Sequence, residues 1–526
     1  MLVSRIWAEP LRVSGAAVMR WTVPEGLRGA LQVCGCTSDA GKSTLVAGLC
    51  RLLARSGVSV APFKSQNMAL NSYVTRDGDE IGRAQGAQAL AAGVEAEALM
   101  NPILLKPTGD RSSQVVVMGH PVGVMSAAEY HEHKPQLLDM VLDALAQLRE
   151  RFDVVLVEGA GSPTEINLLD RDIVNLSIAK HSGMPAIVVG DIDRGGVFAH
   201  LYGTVALLPD DLRPLVKGFV INRFRGDPSL LGDGTETLRQ RSGVPTLGVI
   251  PMLGDLWLDA EDSLALDGPR PSSGPPRADG LDIAVVRLPR LSNFTDIDAL
   301  AVEPGVTVRF VSDAGAVGKP DLVIVPGSKE TVDDLRWLQA HGLDTVIRAS
   351  GADLLGICAG YQMFGRAIDD DYESHAGQVA GLGWLPEVTT TFGAEKILRR
   401  FEHADVSGYQ IHHGRVAGGP GWVPLGGELE GTTNADGSIR GTTLHGLFEH
   451  DGFRARFLEE LASRRGKRFV PAGIRFRTER DRRFDIVADA IEQHLDMEAL
   501  YELIQSAVPA TDRQHSHFSS VDRMLR

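Results

Sequence analysis

A lone cysteine, Cys358, lies within the run G-I-C-A-G-Y-Q-M, which begins at Gly356. The residues L-L-G-I just before it predict a buried strand, and Y-Q-M-F-G-R-A-I from Tyr361 predicts a helix. Small neighbours let the chain turn sharply between these elements and present the thiol beside backbone N–H groups. Because such groups lower a thiol pKa and can hold an oxyanion, we interpret Cys358 as a nucleophile rather than a core cysteine.

A thiol that attacks an amide needs a nearby base, and His445 in the run G-T-T-L-H-G-L-F-E is the candidate. The patterns G-x-C-x-G-x-Q and G-T-x-x-H-G-x-F resemble those of class I glutamine amidotransferases. The resemblance implies that Cys358 and His445 release ammonia from glutamine. It also implies that the backbone N–H groups of Gly327, in V-I-V-P-G-S-K, and of Ala359 form the oxyanion hole.

The acid that completes the triad in such enzymes usually lies two residues after the histidine. That position is Leu447 in this chain, and Glu449 lies four residues after His445. Because this spacing does not reproduce the His-x-Glu geometry, the sequence predicts a Cys–His dyad. Whether Glu449 completes a triad in a different local geometry stays open.

A second chemical motif, G-C-T-S-D-A-G-K-S, runs from Gly35 to Ser43 between an apolar strand and the helical run T-L-V-A-G-L-C. Backbone N–H groups, a helix N-terminus and a lysine in this arrangement surround phosphate oxygens. The five residues between Gly35 and Gly41 resemble the loop of the dethiobiotin synthetase-like branch of P-loop enzymes. Thr37 stands where partition and septum-site ATPases carry an extra lysine, which counts against that regulatory class. The predicted ATP-binding residues are Gly35, Thr37, Gly41, Lys42, Ser43, Thr44 and Asn222.

Further expectations concern the adenine ring and the magnesium ion that accompany the phosphates. Asn222 ends the strand G-F-V-I and, by the resemblance, reads the adenine ring, although a turn-forming asparagine fits as well. Magnesium needs hard oxygen ligands, and Ser43 and Glu158 are predicted to supply them. Glu80, rather than its neighbour Asp79, aligns with the second metal ligand of related enzymes.

Polar residues that follow two further strands could bind phosphate or substrate carboxylates. Lys64, Gln66 and Asn67 follow one strand end, where a solvated loop is the alternative. Asp191 and Asp193 follow another, and we interpret them as acids that position substrate or support the metal.

Short apolar runs alternate with amphipathic stretches on both sides of a Pro-, Gly- and Ser-rich segment, which predicts two α/β domains with parallel sheets. We expect an extension at 1–28, a P-loop synthetase domain at 29–266, a linker at 267–280, an amidotransferase domain at 281–510 and a disordered tail at 511–526. The predicted strands are Leu31–Cys34, Val58–Phe63, Val154–Val157, Ala186–Val189, Gly218–Ile221, Thr246–Val249, Asp282–Val286, Val306–Phe310, Leu322–Val325 and Leu354–Ile357.

The composition narrows the class of protein. The chain has 526 residues and a net charge of -15, which argues against a nucleic-acid or anionic-membrane surface. Four cysteines without a C-x-x-C pair exclude a disulfide framework and do not indicate a zinc site. No apolar stretch has the length of a membrane span, and no signal peptide is evident, so we expect a cytoplasmic protein. A homo-oligomer is compatible with the sequence, which does not fix the oligomeric state.

Six further runs resemble the cobyric acid synthase family, the glutamine-hydrolysing enzymes of vitamin B12 synthesis. They are F-K-S-Q-N-M-A-L-N-S from Phe63, E-I-G-R-A-Q from Glu80, N-P-I-L-L-K-P from Asn101, V-E-G-A-G-S-P from Val157, G-D-I-D-R-G-G-V-F from Gly190 and L-P-R-L-S-N-F-T-D from Leu288. The resemblance covers roughly Leu31 to Leu503. One departure is Gln410 and His413, where the family usually has Glu and Met, so their roles stay open.

The resemblance implies ATP- and glutamine-dependent amidation of four peripheral carboxylates (b, d, e and g) of a corrinoid, adenosylcobyrinic acid a,c-diamide, to adenosylcobyric acid. The implied cofactors are ATP and Mg²⁺. Two alternatives remain: cobyrinic acid a,c-diamide synthase, against which the runs from Phe63, Glu80 and Asn101 argue, and a regulatory P-loop ATPase with an inactive glutaminase-like domain, against which Cys358 and His445 argue.

Overall fold

The computed structural model describes residues 21–109, 111–254, 256–258 and 279–507. Residues 1–20 of the predicted extension, 267–278 of the predicted linker and the whole predicted tail at 511–526 lie outside these ranges. Within the described ranges, no helix is both long and apolar enough to cross a membrane.

The first domain is built on a six-stranded parallel sheet in the order β12-β11-β10-β1-β9-β2. The side chains of the central strand alternate between the two faces of the sheet. Ala30 and Cys34 pack into the hydrophobic core on one face, and Leu31 and Val33 pack into the core on the other. This two-sided burial explains the near-continuous apolar runs, and all six strands predicted before the linker are confirmed. The strands are β1 Gly29–Gly35, β2 Val60–Phe63, β9 Val154–Glu158, β10 Ala186–Asp191, β11 Val216–Phe224 and β12 Thr246–Pro251.

Helices cover both faces of this sheet. The first of them begins at the end of the predicted phosphate loop, as expected from the motif. The longest begins with a capping box, in which Ser126 and Glu129 each bond the other's backbone N–H. The helices are α1 Lys42–Arg55, α2 Arg83–Ala92, α3 Ala127–Arg151, α4 Leu176–Ser182, α5 Val197–Leu207 and α6 Gly234–Ser242.

Two small β units between β2 and α3 were not predicted. One is a four-stranded sheet of β3 Gln66–Met68, β6 Ile103–Pro107, β7 Ser112–Val117 and β8 His120–Ser126. The other is a hairpin of β4 Ser72–Val74 and β5 Glu80–Gly82, which leads directly into α2. Both units contact the second domain, the hairpin through Ser72 and Glu80 and the four-stranded sheet through Gln114, so this insertion forms much of the contact between the two domains.

The second domain has its own sheet, in the order β14-β13-β15-β16-β24-β23, with only β23 antiparallel. The four strands predicted after the linker are confirmed. The strands are β13 Leu281–Val286, β14 Val306–Val311, β15 Leu322–Val325, β16 Asp353–Ile357, β23 Thr432–Thr433 and β24 Ile439–Thr442. The helices are α7 Asp298–Ala301, α8 Ala314–Val317, α9 Thr331–Ala340, α10 Leu343–Ala349, α11 Ala359–Phe364 and α12 Asp451–Arg464.

The helix predicted through residue 368 is wrong in its second half. It ends at Phe364, since Gly365 is extended and the chain enters a new strand at Ala367. That strand belongs to an edge sheet of β17 Ala367–Asp370, β18 Gly377–Ala380, β19 Thr389–Glu402 and β20 Ser407–Ala417. A small hairpin of β21 Val423–Leu425 and β22 Glu428–Glu430 follows.

The last two helices, α13 Phe476–His494 and α14 Met497–Gln505, pack on the first domain. A Cβ at Gly48 would lie 2.5 Å from side-chain atoms of Val487 and Ile491, so this glycine lets α13 approach α1 closely. Arg51 also pairs with Asp485 at 2.7 Å. The predicted boundary, which assigned all of 281–510 to one domain, therefore needs correction, because the chain returns to the first domain after about residue 475.

Candidate active sites: a cysteine nucleophile and a phosphate loop

Cys358 occupies the sharp turn between β16 and α11, as the sequence predicts. Its backbone has φ 52° and ψ −108°, a strained conformation for a residue with a Cβ. A Cβ on Gly360 would lie 1.9 Å from Val325 O, and one on Gly356 would lie 2.6 Å from Tyr361 N. The flanking glycines are therefore required by close backbone contacts, and the turn presents the thiol at the carboxyl end of the sheet.

The imidazole of His445 is held by a carboxylate that the sequence analysis missed. Nδ1 of His445 lies 2.7 Å from Oδ2 of Asp296, and Oδ1 of the same carboxylate accepts the Gly446 N–H at 2.8 Å. The ring also stacks on Tyr409, with 5.3 Å between centroids. The predicted dyad is therefore wrong: Cys358, His445 and Asp296 form a triad whose acid comes from a segment 149 residues before the histidine.

The electrostatics of the triad fit nucleophilic catalysis. Burial opposes protonation of His445, but the Asp296 carboxylate and the Cys358 thiol outweigh it and raise the imidazole pKa to about 10. Because a carboxylate only accepts hydrogen bonds, Nδ1 carries a proton and Nε2 is left to exchange a proton with the thiol. The imidazolium form of His445 is thus stabilised next to Cys358, where the ring can hold the proton that the thiol gives up when it attacks.

Glu449, the acid left open by the sequence, does not contact His445. Its carboxylate accepts hydrogen bonds from Arg83 at 2.8 Å and Arg480 at 3.1 Å. Burial opposes its charge, but the two guanidinium groups lower its pKa to about 2. Glu449 therefore joins α2 of the first domain to α13, and the residue at the usual acid position, Leu447, is a core side chain.

The predicted oxyanion donors lie beside the triad. Gly327 follows β15, and a Cβ at this position would lie 3.0 Å from Cε1 of His445. Ala359 is the first residue of α11, directly after the nucleophile. Of the two residues whose roles were open, Gln410 donates to Thr443 Oγ1 at 2.6 Å and His413 lines the cavity that contains Cys358.

The phosphate loop has the predicted form. Gly41 adopts φ 98°, and a Cβ there would lie 2.1 Å from the Asn222 amide nitrogen. A Cβ on Gly35 would lie 2.9 Å from Thr37 O and 3.0 Å from Lys42 Nζ. Lys42 donates to Thr37 O at 3.0 Å and to Gly161 O at 3.2 Å, so its ammonium is held across the loop.

Asn222 lines the cleft, but its amide nitrogen donates to Ala40 O at 3.0 Å and so holds the phosphate loop. The adenine role stays a prediction. The cleft has a volume of about 970 Å³ and also contains Ser43, Thr44, Lys64, Gln66, Asn67 and Asp193 of the predicted residues.

Glu158 is placed where a metal ligand is expected. It ends β9, is fully buried and lies 2.7 Å from the Ser43 hydroxyl. Burial opposes its charge, yet Lys64, Gln88 and Ser43 lower its pKa. The amide nitrogen of Gln88 donates to the Glu158 carboxylate, and its side-chain oxygen, Oε1, is buried and makes no hydrogen bond to the described residues. An ionised carboxylate, a hydroxyl and an orphaned amide oxygen are hard donors, so these residues fit Mg²⁺.

Two predicted residues lie elsewhere. Glu80 does not line the cleft, contrary to the prediction of a metal ligand there, because its buried carboxylate is bound by the ammonium groups of Lys106 and Lys396 at the domain contact. Asp191 is buried beneath the cleft, where it pairs with Arg223 at 2.8 Å and accepts the Asp193 N–H at 2.8 Å. Through these contacts it supports Arg223 and Asp193, which line the cleft, and a direct contact of Asp191 with substrate stays a prediction.

Comparisons with known proteins agree with this arrangement. The family described as "CobQ/CobB/MinD/ParA nucleotide binding domain" matches residues 31–264, and "CobB/CobQ-like glutamine amidotransferase domain" matches residues 282–453. The chain is similar to the cobyric acid synthase of Mycobacterium sp. (strain KMS), with 52% identity over 491 residues, 91% of this chain and 97% of the relative. It is also similar to the cobyric acid synthase of Nocardia farcinica, with 50% identity over 513 residues, 92% of this chain and 98% of the relative.

A solved glutamine amidotransferase is matched over 34% of this chain and 98% of its own length, at 20% identity and a TM-score of 0.27.

Proposed function

The chain belongs to the cobyric acid synthase family of glutamine-dependent ligases, and from this premise we propose the reaction that it catalyses. The substrate is adenosylcobyrinic acid a,c-diamide. The enzyme converts its b, d, e and g carboxylates to amides with ATP and glutamine, and the product is adenosylcobyric acid.

One observation carries this proposal: a single chain joins a buried Cys–His–Asp triad to a phosphate-loop cleft of about 970 Å³. This volume lies near the upper end for small-molecule pockets, which suits a nucleotide together with the edge of a large macrocycle. The triad supplies nitrogen and the cleft activates a carboxylate, and an amide ligase needs both.

Nitrogen release begins when the Cys358 thiolate attacks the side-chain carboxamide carbon of glutamine. The backbone N–H groups of Gly327 and Ala359 stabilise the oxyanion, and His445 returns its proton to the leaving ammonia. Water then attacks the thioester, with His445 as the base, and glutamate leaves. Throughout, Asp296 keeps the proton of Nδ1 in place.

Carboxylate activation takes place in the cleft. A substrate carboxylate attacks the γ-phosphorus of ATP in line and ADP leaves, while Lys42 holds the phosphoryl oxygens. Ammonia then attacks the acyl phosphate and inorganic phosphate leaves. Ser43 and Glu158 would hold Mg²⁺, which supplies charge neutralisation for the phosphates.

The test is mass spectrometry of the product formed from the a,c-diamide, ATP, Mg²⁺ and glutamine labelled with ¹⁵N in its side-chain amide. We expect four labelled nitrogens per corrinoid and one phosphate released per nitrogen. Amidation of cobyrinic acid itself at the a and c positions, with no reaction on the a,c-diamide, would assign the chain to the diamide synthase chemistry instead. Glutamine hydrolysis with no labelled corrinoid and no phosphate release would also contradict the proposal.

A further inference from the structure

The cavity that contains Cys358 is lined by both domains. The second domain contributes Lys329, Glu373 and Lys396, as well as His413. The first domain contributes Lys106 from β6 and Gln114 from β7, and both side chains are buried. Side chains of the synthetase domain therefore line the cavity through which an amide substrate would reach the thiol.

The lysine ammonium groups in and around this cavity outnumber the carboxylates that pair with them. Lys329 pairs with Glu373, and this pairing raises the pKa of its ammonium despite burial. Lys106 and Lys396 share one carboxylate, Glu80, which Lys106 contacts at 2.5 Å. Burial, together with the like charges of Lys106 and Lys329, lowers the pKa of Lys396 to about 8 even though Glu80 opposes this. The Lys106–Lys396 side of the cavity is therefore short of negative charge.

Gln114 provides a complementary group. Its side-chain oxygen Oε1 is buried and makes no hydrogen bond in the described structure, although the residue lines the cavity. Its Nε2 lies 3.4 Å from Nε2 of His413. An unsatisfied buried acceptor is costly, so this oxygen is suited to a donor that arrives with a ligand.

We propose that Lys106 and Gln114 of the first domain bind the α-amino-acid head of glutamine, an inference that rests on the proposed function. Lys106 and Lys396 bind the α-carboxylate, while the Gln114 oxygen and the Glu373 carboxylate accept hydrogen bonds from the α-ammonium group. The side-chain carboxamide then lies toward Cys358. Selectivity for glutamine over simple amides thus depends on the synthetase domain, and the second domain alone lacks half of the binding site.

The test compares three amides as sources of ammonia for the full chain. L-Glutamine has both head groups, 4-aminobutanamide lacks the α-carboxylate, and glutaramic acid lacks the α-ammonium group. For each protein we measure kcat/KM with every amide and take the ratio of glutamine to each analogue. Because each ratio is taken within one preparation, it does not depend on the fraction of the protein that is folded.

In Lys106→Met, we expect the preference for glutamine over 4-aminobutanamide to fall by about tenfold or more, the factor of a lost hydrogen bond to a charged group. The preference over glutaramic acid should be retained. Gln114→Met should show the opposite pattern, with the preference over glutaramic acid reduced. Lys180→Met, which removes an exposed lysine that pairs with Asp211 on the surface of the first domain, is the control and should change neither ratio.

Two failures are distinguishable. If the wild-type chain releases no ammonia from glutamine, the proposed function itself is wrong. If it hydrolyses glutamine but both ratios stay within about twofold in Lys106→Met and Gln114→Met, well under the effect of a lost hydrogen bond to a charged group, the inference is overturned.

Discussion

Replacement of Asp296 by asparagine removes one charge from the triad and keeps most of its geometry. The Gly446 N–H donates to Oδ1 of Asp296 at 2.8 Å, and an asparagine oxygen can accept the same bond. The amide nitrogen then faces Nδ1 of His445 as a donor. Nδ1 must accept, so the proton moves to Nε2, the nitrogen that has to take the proton of Cys358.

We expect a large effect because both side chains are buried, so that water cannot solvate the imidazolium in place of the lost carboxylate charge. The side chains of His445 and Asp296 are 1% and 4% exposed. The carboxylate is also a principal cause of the raised imidazole pKa, so its loss destabilises the imidazolium form. Loss of a triad acid with the wrong tautomer costs roughly a thousandfold to ten-thousandfold in kcat, about 4 to 5.5 kcal/mol of barrier.

The assay is glutamate release under saturating glutamine, with ammonia-supported corrinoid amidation measured on the same preparation. We expect Asp296→Asn to lose glutaminase turnover by that factor while ammonia-supported synthesis stays close to wild type, because the phosphate loop lies in the other domain. A glutaminase kcat within about tenfold of wild type, the size of an ordinary supporting contact, would refute the assignment of Asp296.

Three other variants test whether the two domains perform separate steps, ammonia release and carboxylate activation. Cys358→Ser should abolish glutamine-dependent amidation and retain activity with high ammonia; loss of both in a folded protein would contradict it. Lys42→Ala should abolish synthesis from either nitrogen source, as measured by phosphate release, because both routes need the acyl phosphate. Near-normal turnover with ammonia would exclude the phosphate-loop role. Glu449→Gln should lower glutaminase kcat by no more than about tenfold, since Glu449 contacts Arg83 and Arg480; a thousandfold loss would point to a catalytic role.

Much of the framework could be predicted because it depends on short-range patterns. The parallel strands are continuous apolar runs, and the phosphate loop and the cysteine turn are fixed by glycines at contacts of 3 Å or less. Ser43 and Glu158 could be paired from sequence, since the carboxyl ends of parallel strands meet at one edge. The neighbouring strands β1 and β9 bring them within 2.7 Å.

Contacts between distant segments could not be predicted in the same way. Glu80 has the right residue type for a metal ligand, but the hairpin that carries it turns toward the second domain and its lysines. The amphipathic pattern of α13 indicates that one of its faces packs against another element. Only the folded structure shows that this element is α1. The dyad prediction is wrong because it considered only acids that follow His445 closely in sequence. Asp296 is distant in sequence, although it ends the run L-P-R-L-S-N-F-T-D that resembles the family.

The position of Asp296 links the triad to the domain contact. Asn293, three residues before it, adopts φ 52° and accepts the Ser72 N–H of the β4–β5 hairpin at 2.8 Å. On the other side of the imidazole, Tyr409 stacks on His445 and donates to Ser72 O at 3.4 Å. One residue of the first domain thus contacts both the segment that carries the acid and the ring that packs on the base. The triad is therefore held by hydrogen bonds to the docked synthetase domain on both sides of the imidazole, through the segment that carries the acid and through the ring that stacks on the base.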